Sequence, residues 1–290
     1  MDYILRATAG NGSVRAFVAK TKETANTAFE KHKTSPVMSA ALGRVLTAGA
    51  LMGCMLKDEK DILTINIKGD GPGGGIIVTA NNKVDVKGYC FNNIVDIPLK
   101  PNGKLDVSGA LGFGTFTVIK DLGLKEPYVG QIPLVSGEIA EDLTYYFATS
   151  EQTPSAVALG VLVDRDYTIK QSGGFIIQVM PDADEETISA IENKMATMKS
   201  VTAMFEDGME PEDILQEILG DFDVNILDKI DCNFDCNCSR ERVEKALLSI
   251  GKAELQDIIE KDKKAVLHCH FCNTDYEFNE DYLKNLLNSL

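Results

Sequence analysis

Over its first 180 residues the chain alternates short apolar–polar runs with turn residues. Residues 3–9 and 13–19 alternate on either side of Gly10-Asn11-Gly12 and predict a β-hairpin. Ser35 followed by Pro36 reads as an N-cap and first helical position, opening a helix that continues to about residue 56. Its Ala, Gly, Leu and Met positions run almost without charge, so this helix is expected to be buried on most sides. Further β-patterned runs predict strands at 62–68, 75–80, 84–89, 114–120 and 128–136. A helix over 139–150 and strands at 157–163, 168–171 and 174–180 complete the series. Runs of strands around one buried helix point to an α+β fold, with layered β-sheets making an N-terminal domain of residues 1–180.

Pro181-Asp182 closes that domain, and the period changes. A helical connector over 181–230 begins with a helix at 184–199 that carries Ile188, Ile191, Met195 and Met198 on one face. A second helix opens at Pro211, shows Ile214, Leu215, Ile218 and Leu219, and stops at Gly220. Residues 231–290 make a small C-terminal module with a helix near 239–248 and a closing amphipathic helix.

Charge sharpens this division. The chain carries a net charge of −15, which argues against a nucleic-acid partner, because gripping phosphates needs clustered Lys and Arg. Residues 181–230 hold 14 Asp and Glu against 3 Lys, a difference of 11 that is most of the excess. One reading is a solvated helical connector; the other is a segment near its folding limit, whose self-repulsion offsets a limited apolar face. The longest apolar run, residues 45–56, has 12 residues, too few to span a bilayer, so no membrane partner is expected. The N-terminus has no basic stretch leading into an apolar one, so no secretory signal is expected and a cytoplasmic location is.

Of seven cysteines, Cys54 and Cys90 stand alone and five fall between Cys232 and Cys272. Such clustering without a signal sequence points to metal or redox chemistry rather than a disulfide framework. The pattern is Cys236-x-Cys238, thirty residues, then Cys269-x-x-Cys272. Two close thiol pairs brought together by folding suit tetrahedral zinc, each short loop supplying two ligands. The first spacing is tight for two ligands, and a disulfide closed across it would be strained and readily reduced. A small module folded by its metal would unfold when oxidation takes the ligands, so the pattern is compatible with a switch. Cys232 reads as a spare thiol or a competing ligand, and His268 and His270 as neighbours of the site or surface groups.

Other motifs carry less. Residues 69–75, Gly-Asp-Gly-Pro-Gly-Gly-Gly, lack a following Gly-Lys-Ser/Thr and read as a turn with close backbone approach. Ser136-Gly137 forms no nucleophile elbow, and only His32 lies outside the C-terminal module to serve as a base. No catalytic constellation emerges, so the chain is not expected to be an enzyme.

The segment Cys236-Asn237-Cys238-Ser239-Arg240-Glu241-Arg242, with Gly251-Lys252-Ala253-Glu254-Leu255 and Cys269-His270-Phe271-Cys272-Asn273, resembles the switch domain of the 33-kilodalton heat-shock chaperone family. The likeness extends through Ser39-Ala40-Ala41-Leu42-Gly43-Arg44, the glycine-rich turn, Ser150-Glu151-Gln152-Thr153-Pro154-Ser155 and Gly173-Gly174-Phe175-Ile176-Ile177-Gln178. It implies a cytoplasmic, stress-responsive holdase that needs no ATP and is inactive while reduced and zinc-bound. Its single zinc ion per chain would sit on Cys236, Cys238, Cys269 and Cys272. Oxidation would pair Cys236 with Cys238 and Cys269 with Cys272, release the metal, unfold the switch domain and loosen the connector. The oxidised form would be a homodimer that holds unfolding or oxidatively damaged proteins. Candidate client-binding residues are Ile188, Ile191, Met195, Met198, Ile214, Leu215, Ile218 and Leu219, or the core surface they cover; the bland reading makes them permanent core. The family pattern does not require Cys232, which leaves a unique disulfide pairing open. Two rival classes are a zinc-ribbon nucleic-acid module, which would need a basic surface, and a thiol oxidoreductase working through Cys269 and Cys272.

Overall fold

The computed structural model describes residues 1–181 and 183–288, and the chain divides into two compact units, Met1–Asp235 and Cys236–Leu290. The first unit is α+β, as the strand and helix patterns predict. In chain order it contains β1 (Tyr3–Ala9), β2 (Val14–Lys20), α1 (Lys22–His32), α2 (Pro36–Gly53), β3 (Ile62–Gly69), β4 (Gly75–Asn81) and β5 (Asp85–Cys90). Next come α3 (Val107–Leu111), β6 (Gly114–Asp121), β7 (Tyr128–Pro133), α4 (Ala140–Thr149), β8 (Ser155–Val163) and β9 (Ile169–Val179). It closes with α5 (Glu185–Thr197), α6 (Val201–Glu206), α7 (Pro211–Leu219), β10 (Asn225–Asp231) and β11 (Asn233–Phe234).

One sheet runs β10-β1-β2-β9-β8 and the other β11-β5-β4-β3-β6-β7. Helix α2 lies between them, in contact with β8 and β9 of the first and with β3, β4 and β5 of the second. Sixteen of its residues are buried, which is why its apolar run is nearly uninterrupted. Long and apolar enough to span a membrane by composition, it is instead the core helix of the layers. Two of its polar side chains find partners inside: Thr47 Oγ1 lies 2.7 Å from Thr21 Oγ1, and Arg44 pairs with Glu138 at 2.7 Å through Nη1.

The first sheet is covered on both faces. Ile4, Phe17, Ala19 and Ile176 join the core around α2, whereas Leu5, Ala16, Val18, Phe175 and Ile177 face the core formed with α5, α6 and α7. Successive strand residues point to opposite faces, so a sheet buried on both sides reads as a continuous apolar run. On that second face Ile191, Ile214, Leu215, Ile218 and Leu219 are buried, and Met195 and Met198 pack against them part-buried; Ile188 is half-buried.

Several sequence expectations are corrected here. The break between the expected strands at 168–171 and 174–180 is not a break, whereas the helix opening at Pro211 does end at Gly220. Residues 169–179 form one strand through Gly173 and Gly174; a Cβ on Gly173 would come within 2.4 Å of the Ala19 carbonyl oxygen and of the Phe205 ring. These glycines therefore admit a neighbour rather than end a strand. Residues 225–231, which carry no clear strand pattern, pair antiparallel with β1, and α1 and α6 were likewise not anticipated. The glycine-rich turn behaves as expected, with Gly71 and Gly73 amides donating to the carbonyls of Leu111 and Ala110.

The second unit consists of α8 (Arg240–Ser249), α9 (Lys252–Lys261), the hairpin β12 (Lys264–Cys269) and β13 (Thr274–Asn279), and α10 (Glu280–Asn288). Its core is seven buried side chains, Leu247, Leu255, Ile259, Ala265, Phe278, Leu283 and Leu286.

Candidate metal centre

Two short loops meet at the edge of this small core. The first, Cys236-Asn237-Cys238, leads directly into α8, whose N-cap Ser239 accepts the Arg242 amide at 3.3 Å. That cap satisfies one of the helix's free N–H groups and fixes the chain direction immediately after Cys238. Helix α8 is pinned in turn by Arg240, whose guanidinium lies 4.3 Å from the Phe278 ring centre and 4.9 Å from that of Tyr282. Tyr282 donates to Glu244 at 2.6 Å.

The second loop is the turn of the β12–β13 hairpin. The last register pair joins Cys269 to Thr274, and the Asn273 amide donates to the Cys269 carbonyl at 2.8 Å. Asn273 sits in the left-handed region at φ 57°, a conformation that Asn tolerates better than most residues. The turn places Cys269 and Cys272 side by side.

The four sulfurs of Cys236, Cys238, Cys269 and Cys272 lie within 4.8 Å of one another, all as free thiols. Cys236 Sγ is 3.8 Å from Cys269 Sγ, and Cys238 Sγ is 3.1 Å from Cys272 Sγ. Sulfurs around a tetrahedral zinc at ~2.3 Å stand roughly 3.8 Å apart, so this donor set fits such an ion in number, type and spacing. The closest contacts run between the loops, and with all four sulfurs mutually near, the geometry favours no single disulfide pairing.

Hydroxyl groups complete the surroundings. Tyr276 on β13 directs its hydroxyl to Cys238 Sγ at 3.1 Å, and Thr274 Oγ1 lies 3.3 Å from Cys272 Sγ. Burial works to raise the Cys238 thiol, but hydrogen bonds from Tyr276 and from the neighbouring cysteines outweigh it and bring it down to about 7. Burial pushes Cys236 and Cys272 the other way, upward. Neither hydroxyl was singled out in the sequence. The available signal is their position two and four residues after Cys272, but it gains meaning only once the hairpin is known.

Cys232, four residues before Cys236, is not one of the clustered sulfurs. It is buried in the first unit, its Sγ 3.7 Å from Thr24 Oγ1, and burial pushes its thiol up to about 12. Cys54 is likewise buried, with burial raising it to about 11. Of the two histidines, His268 Nδ1 lies 2.7 Å from Asp275 Oδ1, and its ring stands 5.0 Å from that of His270. Neither belongs to the metal-capable group.

Comparison with known proteins accounts for the whole chain. Residues 2–279 match the family model described as Hsp33 protein. A 33 kDa chaperonin of Lachnoclostridium phytofermentans is 58% identical over 286 residues, covering 99% of this chain and 98% of that protein. One of Clostridioides difficile is 54% identical over 290 residues, covering 100% and 99%. Among solved structures, the 33 kDa chaperonin (heat shock protein 33 homolog) of Thermotoga maritima superimposes with a TM-score of 0.91 at 39% identity, covering 99% of this chain and 98% of that one. With the mixed layers, the four-thiol cluster and full-length similarity all in agreement, this chain belongs to the Hsp33 family.

Proposed function

We propose that the protein is a cytoplasmic, ATP-independent holdase, gated by oxidation of a zinc-bound thiol cluster and not by catalysis. Residues 1–180 act as the chaperone core, 181–230 as the connector and 231–290 as the redox switch. The observation that carries this reading is the juxtaposition of four thiols with a very small core. A core of so few residues supplies roughly 3–5 kcal/mol at most, whereas structural zinc sites are worth about 10–16 kcal/mol. The fold of the second unit therefore depends on its sulfurs remaining ligands.

Bound there, one zinc ion per chain ties the two cysteine loops together and holds the four sulfurs as thiolates. Cys236 with Cys238, and Cys269 with Cys272, are the pairs an oxidant joins. Each pair lost to a disulfide removes two ligands, and the seven-residue core is left to hold the unit alone. Phe234 ends β11, so Cys236 follows the edge strands of the first unit after one residue. Unfolding of 236–290 thus frees the chain end that continues into β10 and α7. The apolar faces at Ile188, Ile191, Met195, Met198, Ile214, Leu215, Ile218 and Leu219, or the sheet beneath them, then become available to unfolding proteins, and the freed surface serves a homodimer.

The test is direct. Reduced, zinc-loaded protein should leave a heat-unfolded client to aggregate, and peroxide with mild heat should make it protective without ATP. Full protection by the reduced form contradicts the switch. Insulin reduction at a substantial rate would instead favour an oxidoreductase.

A further inference from the structure

We propose that the first unit holds a second site, separate from the thiol cluster: a cleft at the C-terminal end of α2 that binds a small phosphomonoester, gripping its phosphate through Arg6 and Arg15. Every residue it uses lies in Met1–Asp235, so it stands whether or not the switch reading does.

The site follows from the register of the first sheet. Arg6 stands opposite Phe17 and Thr8 opposite Arg15, so these four side chains share one face of β1 and β2. Further along the strands that face packs into the core around α2 through Ile4, Phe17 and Ala19. Helix α2 ends at Gly53, and there the face turns polar, in a row of Thr8, Arg15, Gln178 and Ser155 on four neighbouring strands. Between these strands and residues 54–57 lies a cleft of about 480 Å³. That volume suits a small molecule rather than a polymer.

Two observations point to an anion. The first is that Arg15 is fixed in place without a counter-ion. Gln178, at 0% exposure, accepts from Arg15 Nε at 2.8 Å and is itself held by donating to Ser155 Oγ at 2.9 Å. The two terminal guanidinium nitrogens then meet no acceptor, and Arg15 no carboxylate, among the described residues. In a chain with 44 Asp and Glu against 29 Lys and Arg, chance favours the opposite. The second is that one sign of charge collects here. Arg6, diagonal to Arg15 across the strand pair, is matched by Asp228, but Lys57 at the rim pairs with no acid among the described residues. The Asp61 carboxylate beside it accepts the Lys57 and Asp58 amides. Like charges at diagonal positions, roughly 7–8 Å apart, repel unless an anion lies between them. Three cations against Asp228 leave two positive charges unanswered, which matches a phosphomonoester dianion better than a carboxylate. Guanidinium forks take phosphate oxygens in pairs, and the Thr8 hydroxyl lines the same cleft as a further donor.

The rest of the cleft is apolar. Phe17, Met55, Leu56 and Leu227 line it, and Leu227 is the extra residue where the pairing of β10 with β1 shifts register between Arg6 and Ala7. These side chains favour a phosphate carried on a small apolar or aromatic body over the free ion.

The experiment titrates the reduced full chain with phenyl phosphate by isothermal calorimetry and, in parallel, with inorganic phosphate and with benzoate. Phenyl phosphate should bind with a stoichiometry of one and at least about tenfold more tightly than the other two, each of which lacks half of the match. Arg15→Gln and Arg6→Gln should each weaken it by roughly ten- to a hundredfold, the effect of removing a hydrogen bond to a charged group. Those two changes also touch Gln178 and Asp228, so the exposed Lys57→Gln gives a reading free of folding effects, a loss of roughly two- to fivefold. Lys104→Gln, exposed on a loop outside the cleft, should change nothing. Equal losses from Lys57→Gln and Lys104→Gln would mean attraction by surface charge alone and overturn the proposal, as would no binding of phenyl phosphate at millimolar concentration. Benzoate bound as tightly as phenyl phosphate would overturn the phosphate assignment. Inorganic phosphate bound as tightly would take away the apolar wall's part and overturn the ligand class.

Discussion

Asp142 shows how a single buried carboxylate sets a loop. Its two oxygens accept the amides of Val135 at 2.7 Å, Ser136 at 3.0 Å, Gly137 at 3.3 Å and Ile139 at 2.9 Å. Ile139, a β-branched residue, is thereby held in the left-handed region at φ 72°, a conformation it adopts only under such constraint. Asp142→Asn places an N–H₂ group among donors and should cost about 2–4 kcal/mol, read as a lower urea midpoint. At the thiol cluster, residue identity makes a different prediction. Cys269→Ser removes one of four clustered sulfurs and should sharply weaken zinc binding, whereas His268→Ala should leave it nearly unchanged, because His268 engages Asp275. Titration with a competing chelator measures both, and equal losses would mean the ligand set is wrong. The four cysteines were legible in sequence because like ligands at short spacing are rare by chance. Tyr276 and Thr274 were not, since a hydroxyl on a polar strand has many possible partners until the turn is built.

At the scale of elements, the pattern predicted what buries large side chains and missed what does not. Helix α2 declared itself by its apolar run; α1 did not, because its buried positions are Thr24, Ala25, Ala28 and His32. Strand β10 was invisible for a related reason. Its Ile226 and Leu227 are 47% and 48% exposed, and it is a strand by virtue of its pairing with β1 at a sheet edge. The connector helices are held unequally. Helix α7 buries Ile214, Leu215, Ile218 and Leu219 and is tied by Lys20 to Glu210 at 2.5 Å and by Tyr3 to Glu212 at 2.5 Å. Helix α5 fully buries Ile191 alone. At about 1.5–3 kcal/mol for each buried aliphatic side chain, α5 should open before α7. Ile191→Asp should therefore free α5, seen as faster amide exchange confined to 188–197, whereas Ile218→Asp should destabilise the whole first unit. Loss of the whole unit in both variants would mean that α5 is permanent core. Acid acts on the same contacts. Partial burial works to raise the Glu212 carboxyl, but the Tyr3 hydroxyl and the Lys229 ammonium outweigh it and hold it below its ordinary value. Its contribution is present above the unfolded pKa of about 4.3 and is lost as pH falls through the lower folded value. Glu212→Gln should flatten the acid limb of stability below about pH 4.3, measured as urea midpoint against pH.

For the whole molecule, the consequence of most weight is that residues 225–234 edge two sheets at once. Strand β10 completes one through β1, and β11 completes the other through β5, with the Cys232 amide between them donating to the Asp2 carbonyl at 3.1 Å. These edges carry few buried apolar side chains of their own, and residues 181–230, which include most of β10, hold 14 acidic residues against 3 lysines. On the proposed switch, repulsion there should favour release once residues 236–290 unfold. Cys232 is a built-in reporter of that event. At 2% exposure, with burial pushing its thiol up to about 12, it should resist maleimide in the reduced, zinc-loaded protein, as should the buried Cys90. After peroxide and mild heat, Cys232 should become labelled while Cys90 stays protected. Amide exchange should then show protection lost in α5, β10, β11 and 236–290 and retained in β1, β2 and β9. The pairing of β1 with β2 and β9 does not depend on β10, so the central strands have every reason to persist. An oxidised protein that holds clients while Cys232 remains unreactive would show that the edge strands never leave. Client binding would then belong to surfaces already exposed in the first unit, and the connector would be only a tether.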